Sequence, residues 1–298
     1  MSNKHIYEEI TGKIICMLEN GRIPWRRPYT VNGSNACIKH SDGTEYSFLN
    51  SMLLDAPGEY WTFNQIKSAR HRLRKGSTGQ HIYFWKCIIK DSDIIDESTG
   101  LPRKRIFPCL KTYTVFHESC IEDLPKKADE NVDTTRNSEV IKDAQTIIDE
   151  YIAREGLSLI HADAIPHYST MQDHIVIPER FNFDSVDSYY ATIFHEMVHS
   201  TGSSCRLNRE TMTSYSEGQN RPKEELVAEL GSARLCSQCH LNEAGKQIDN
   251  SAAYIASWIK ALKDNPDWIV WASSRAEKAV NFITNNKSDE EIELDQID

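Results

Sequence analysis

Apolar residues recur at helical spacing through Ile6, Ile10, Ile14, Met17 and Leu18, which predicts a first helix from about Ile6 to Glu19. Asn20-Gly21 closes it, because both residues tolerate the left-handed backbone that helix ends use. The prolines of Ile23-Pro24-Trp25-Arg26-Arg27-Pro28 keep the next stretch extended. Between Tyr46 and Phe116 short helices alternate with strand-like runs, the clearest being His81–Ile89 and Lys111–Phe116. The sequence then turns polar and loses its pattern over Ile121–Asn137. The expected division is a domain over residues 1–125, a linker over 126–138 and a second domain over 139–298.

In the second domain, Ile141, Ala144, Ile147, Ile148 and Tyr151 mark an amphipathic helix. His174–Ile177 reads as a short edge strand, stopped by Pro178, of the kind that could pair with extended substrate. A helix then runs through His195, another starts near Pro222, and two more cover about 250–285. The chain has no internal repeat. The fold class expected is α+β in two domains.

Charge changes this picture more than composition does. The 298 residues are 39% hydrophobic and 26% charged, an ordinary globular balance. Residues 1–127 hold 19 Lys+Arg against 14 Asp+Glu, whereas residues 128–298 hold 15 against 30. An anionic partner such as nucleic acid is drawn to the first part and repelled by the second. No run of about 18 apolar residues occurs, so no membrane span is expected, and a cytoplasmic location follows from the polar N-terminus. Eight irregularly spaced cysteines suggest reduced thiols rather than a disulfide framework. Cys236-Ser-Gln-Cys239-His240 lacks the second pair that a four-ligand zinc site needs, and reads as two packed helix cysteines.

The candidate chemistry centres on His195-Glu196-Met197-Val198-His199. Two histidines four residues apart project from one side of a helix and can chelate one zinc ion. The Glu between them can accept a proton from water activated there. At about 100° per residue, Tyr190, Ile193, Phe194 and Met197 form an apolar stripe opposite the histidines. A third ligand is required. Glu225-Leu-Val-Ala-Glu229 is similar to the Glu-x-x-x-Asp/Glu pattern of metallopeptidases whose second helix supplies it. That likeness implies Glu225 as ligand and Glu229 as the residue orienting a histidine, with Glu229 as the rival ligand. Tyr215 is a candidate oxyanion donor.

Cations and flat rings crowd the first domain, notably Trp25, Arg26, Arg27, Trp61, Arg70, Arg72, Arg74 and Lys75. Cations track a phosphate backbone and rings stack on bases, which is the requirement for sequence-tolerant binding of single-stranded DNA. Together with Pro24-Trp25-Arg26, Phe48-Leu49-Asn50, Tyr60-Trp61-Thr62-Phe63-Asn64-Gln65, Arg74-Lys75-Gly76, Tyr113-Thr114-Val115-Phe116, the His195 segment through Gly202, Arg206-Leu207 and Glu224-Glu225-Leu-Val-Ala-Glu229-Leu, the chain resembles the ArdC-like antirestriction proteins of conjugative plasmids. Tyr29 and His117 stand where that family pattern has Trp and Asn. The resemblance implies an N-terminal domain that binds single-stranded DNA, with double-stranded DNA a further candidate, and a zincin-like C-terminal domain that takes zinc or another divalent transition metal such as manganese. It implies antirestriction activity and an unknown protein substrate. Two other readings stay open: a DNA-binding protein with a purely structural metal site, and a general cytoplasmic metallopeptidase.

Overall fold

The computed structural model describes residues 3–25, 38–95, 102–124, 136–216, 218–241 and 252–286. The chain divides into two compact units, Met1–Ile10 with Cys37–Ala128 and Thr11–Ala36 with Asp129–Asp298. Helix α1 (Asn3–Glu19) is therefore shared between them at Ile10/Thr11, and Gly21 follows it with φ +72°.

In the first unit, strands β1 (Ile38–His40), β2 (Gly58–Thr62), β4 (Gln80–Ile95) and β5 (Pro102–His117) form a sheet of order β1-β2-β5-β4. The two predicted strands sit inside β4 and β5, which pair antiparallel over most of their length. Ile38, Tyr46, Leu54, Tyr60, Ile82 and Val115 make the core beneath the sheet. Helix α2 (Phe48–Leu53) is capped by Ser47 and tied to β4 by the buried Asn50, whose amide bonds both backbone groups of Tyr83. Helix α3 (Phe63–Ser68) starts with a capping box between Thr62 and Gln65. It leads into β3 (Arg72–Leu73), which pairs with β6 (Ile121–Glu122).

The second unit packs helices around a small sheet. Helix α4 (Arg136–Glu155) precedes β7 (Ser158–His161), β8 (His167–Ser169) and β9 (His174–Ile177), arranged β7-β9-β8. The edge-strand expectation for His174–Ile177 fails: β9 is central, parallel to β7 and antiparallel to β8. The unbroken run Ile175-Val176-Ile177 is buried, as suits a strand paired on both edges. Arg206 braces this end of the unit, with both Nη atoms donating to Asp173 at 2.8 Å and Nε to Glu155 at 3.2 Å. Helices α5 (Val186–Thr201), α6 (Glu210–Thr213), α7 (Asn220–Gln238), α8 (Ala252–Asp264) and α9 (Trp268–Thr284) complete it.

Helix α5 is buried on nearly every side, not amphipathic as its wheel suggests, because α7 covers the face opposite the sheet. Ser232 Oγ on α7 donates to the Ala191 carbonyl at 2.8 Å. Two turns of α5 further on, Gly231 gives Val198 its space: a Cβ there would lie 2.7 Å and 3.0 Å from the two Val198 methyls. Cys236 and Cys239 are buried on or beside α7 and take part in no disulfide, and burial pushes the Cys239 thiol up to about 12. Gly231→Ala is expected to destabilise the protein by about 1–3 kcal/mol through overpacking. Urea denaturation of Gly231→Ala and of Gly231→Ala/Val198→Ala checks this, with the double variant recovering part of the loss.

Candidate metal centre

Ser185 starts α5 by accepting a hydrogen bond from the Ser188 N–H, and the 3.6-residue repeat then places His195 and His199 one above the other. Their Nε2 atoms lie 3.1 Å apart. From α7, Glu225 Oε2 lies 3.4 Å from His195 Nε2 and 3.8 Å from His199 Nε2. These donor atoms fall within 4.8 Å of one another. A tetrahedral ion with ligands at about 2.0–2.1 Å separates its donors by about 3.3 Å, so this triangle has the right size for one cation. Among the described residues, His195, His199 and Glu225 alone form such a group. Glu229, half-buried one turn later, lies outside it.

Two of the three ligand candidates, Glu225 and His199, are held by a neighbour that leaves one lone pair aimed inward. Tyr215 donates its hydroxyl to Glu225 Oε1, which turns Oε2 toward the histidines. The tyrosine predicted as an oxyanion donor is thus committed to a ligand carboxylate, and burial together with Glu225 raises its pKa. His199 Nδ1 lies 3.4 Å from Glu224 Oε1, so Nδ1–H donates outward and Nε2 keeps its lone pair for the centre. Glu224 thus stands against His199 in the kind of orienting position that the sequence assigned to Glu229.

Glu224 is fully buried. It accepts from Arg209 Nε at 3.1 Å, Arg209 Nη2 at 2.6 Å and Thr211 Oγ1 at 2.6 Å. Burial opposes its charge, but His199 and Arg209 outweigh that and hold the carboxyl at about 2. Arg209 also donates to the Val198 carbonyl at 2.7 Å and to Thr201 Oγ1 at 2.6 Å, satisfying the end of α5. The chain can fold back this way because Asn208 adopts φ +46° and Gly202 lacks a side chain. A Cβ at Gly202 would lie 2.8 Å from Arg209 Nη2.

The electrostatics favour positive charge at the centre. Burial raises Glu225, yet His195, His199 and Tyr215 together bring it to about 2. Burial lowers His199, whereas Glu224, Glu196 and Glu225 raise it above its ordinary value. Glu196 is 7% exposed, on the same helix as both imidazoles. Two nitrogens and one oxygen, backed by further carboxylates, are a donor set suited to a divalent transition metal.

Comparison with known proteins settles the affiliation. The N-terminal domain of the anti-restriction factor ArdC matches residues 4–116, and a zincin-like metallopeptidase domain matches residues 146–275. The crystal structure of the antirestriction ArdC protein from plasmid R388, in metal-free form, superposes with a TM-score of 0.68 at 29% identity, over 94% of this chain and 97% of that chain. The chain belongs to the ArdC-like antirestriction family. The Mn(II)-bound form of the R388 protein gives a TM-score of 0.69 at 28% identity, over 95% and 98% of the two chains. A DNA primase TraC of Escherichia coli is 30% identical over 304 residues, which is 94% of this chain and 27% of TraC. The chain thus spans about a quarter of that relative's length. The uncharacterized protein y4eC of Sinorhizobium fredii is 27% identical over 95% of this chain and 93% of its own. The fold is therefore α+β with a zincin-like C-terminal domain, which implies a divalent metal. No helix among the described residues is long and apolar enough to cross a membrane.

The predicted DNA-facing residues divide. Arg70, Arg72, Arg74 and Lys75 are all exposed, on and around β3, with Arg70 at φ +61°. Trp61 is half-buried, its ring edge-on to His71 at 6.1 Å. Trp25 is a correction: it is 3% exposed and packs edge-on against Trp258 at 6.2 Å, so no base can stack on it. Arg26, Arg27 and Tyr29 lie outside the described residues. His117 accepts from the Ser119 N–H and bonds the Pro57 carbonyl through Nε2 at 2.8 Å, which gives it a structural role. Tyr60 and Tyr83 belong to the core, while Phe63 is 57% exposed at the start of α3.

Glu224→Ala is expected to cost about 3–5 kcal/mol by leaving Arg209 buried and unpaired. Glu224→Leu/Arg209→Met should regain much of that stability in urea denaturation, yet bind metal about 10- to 100-fold more weakly than the natural chain, because His199 loses its orienting acceptor.

Proposed function

We propose that this chain is an antirestriction protein that binds single-stranded DNA through its N-terminal domain and hydrolyses a peptide bond in a protein substrate through its C-terminal one. The observation that carries the second part is the convergence of His195, His199 and Glu225, whose donor atoms fit one cation. Zinc suits two imidazoles and a carboxylate, and the Mn(II)-bound form of the R388 protein makes manganese the alternative. A divalent cation held there supplies Lewis acidity, polarising a carbonyl and easing deprotonation of water.

The chain's own residues do the rest. Glu196, sequestered beside the two histidines, is the group to accept the proton of the attacking water and to pass it to the leaving amine. Glu224 and Tyr215 hold His199 and Glu225 in one orientation, so no reorganisation is required as charge develops. For DNA, the support is the match of residues 4–116 to the ArdC N-terminal domain and the exposed cations from Lys67 to Lys75 beside the exposed ring of Phe63.

Purified protein should hold about one divalent cation per chain, measured by elemental analysis. His199→Ala and Glu225→Ala should lose it. Glu196→Ala should keep it and lose cleavage of an unfolded protein substrate. Full metal retention by Glu225→Ala would sink the assignment. Binding of single-stranded DNA should weaken steeply with salt, and Arg72→Ala/Arg74→Ala should lower the slope of log affinity against log salt by about 1–2. An unchanged slope would remove these two residues from the interface.

A further inference from the structure

Arg209 has a second aspect besides its bond to Glu224. It lines a cavity of about 570 Å³ between the loop that carries it and helix α9. Arg154, Arg275 and Lys278 line the same cavity, and Glu210 is the one carboxylate among the described lining residues. That is a concentration of positive charge in the part of the chain where acidic residues outnumber basic ones 30 to 15. Like charges gathered in a concave surface repel one another unless something negative joins them.

Arg275 is the most telling of the four. Its guanidinium lies 4.3 Å from the centroid of the Trp271 ring, and Nη1 donates to the Trp271 carbonyl at 3.4 Å. Stacking of this kind fixes the plane of the fork and leaves its remaining N–H groups presented as a set. Among the described residues no carboxylate pairs with it. Burial, and behind that the charge of Arg209, lower its pKa. Lys278, exposed, lines the cavity three residues further along the same helix. By contrast Arg209 is committed to Glu224, Thr201 and Val198, and Arg154 donates to the Phe282 and Ile283 carbonyls and pairs with Glu155 through Nε at 2.9 Å. The charges of these two are thus answered within the chain, which leaves Arg275 and Lys278 as the cations of the cavity that supply both unbalanced charge and new hydrogen bonds.

The geometry points to a binding site for a small phosphate-bearing anion, held by Arg275 and Lys278 in the cavity between the Leu207–Thr211 loop and α9. Phosphate fits better than a single carboxylate because a preset guanidinium fork and an ammonium together match its several oxygens and its charge. The volume is that of a small-molecule pocket and leaves room for a nucleoside beyond the phosphate, where the Asn281 and Asn285 amides can donate or accept. This site is independent of the metal centre's chemistry, although Arg209 belongs to the surroundings of both.

The test is isothermal titration of inorganic phosphate, pyrophosphate, adenosine monophosphate and adenosine into the full chain, in chelator so that no cation bridges a ligand to His195 and His199. At least one phosphate compound should bind with one-to-one stoichiometry and more tightly than adenosine. Arg275→Gln should weaken it about tenfold or more, the loss of a charged hydrogen bond. Lys278→Gln, at an exposed position where folding is not at stake, should weaken it severalfold. Lys111→Gln, an exposed cation on β5, should leave it unchanged. The proposal is overturned if none of the phosphates binds, if adenosine binds as tightly as its monophosphate, or if Lys111→Gln matches the loss in Arg275→Gln.

Discussion

The buried pair of Glu224 and Arg209 is the constraint on which the centre depends. A carboxylate taken wholly out of water is tolerated only when its charge is answered and its lone pairs are filled. Arg209 and Thr211 do both, and the remaining interaction is directed at His199 Nδ1. That one contact holds the ring with Nε2 toward His195 and Glu225 and selects the imidazole tautomer, and the tautomer decides that Nε2 keeps its lone pair. Gly202 and the left-handed Asn208 bring Arg209 back under the end of α5, so a backbone conformation outside the helix governs chemistry on it.

The same pair joins helices. Arg209 caps the Val198 carbonyl in the last turn of α5, and Glu224 opens the buried face of α7. With Gly231 letting Val198 approach and Ser232 bonding the Ala191 carbonyl, α5 and α7 are fixed at the spacing that puts Glu225 opposite two histidines. Metal-binding geometry tolerates displacements of a few tenths of an ångström, which loosely packed helices could not guarantee. Dense packing behind the centre is therefore part of its chemistry.

The first unit works by a different economy. Its core is built from a few aromatic and aliphatic residues beneath a sheet, which leaves Phe63 and the cations from Lys67 to Lys75 in solvent. A capping box holds α3 against β2 and β3, so the exposed groups stand on fixed backbone rather than on a free loop. Surfaces that recognise a charged polymer without regard to sequence need cations and rings presented in this way, with little buried chemistry.

How much was legible beforehand follows from the range of the interactions. Helices α1, α5 and α7, the strands of the β4–β5 hairpin, and the pairing of His195 with His199 rest on periodicities within a few residues, and the sequence by itself determined them. The candidate third ligand was readable only as a pattern, because Glu225 and Glu229 are alike in local spacing. It is the packing of α7 on α5 that puts the Glu225 carboxylate among the histidine nitrogens. Glu224 was overlooked, since its neighbour Arg209 lies 15 residues away and nothing local says that this glutamate of the three is buried. The misreading of β9 and of Trp25 has the same origin. Pairing on both edges of β9 depends on β7 and β8, and the fate of Trp25 depends on Trp258, far along the chain. Local geometry specified which residues could hold a metal; the tertiary structure decided which ones meet, because burial and hydrogen-bond partners are properties of the folded whole.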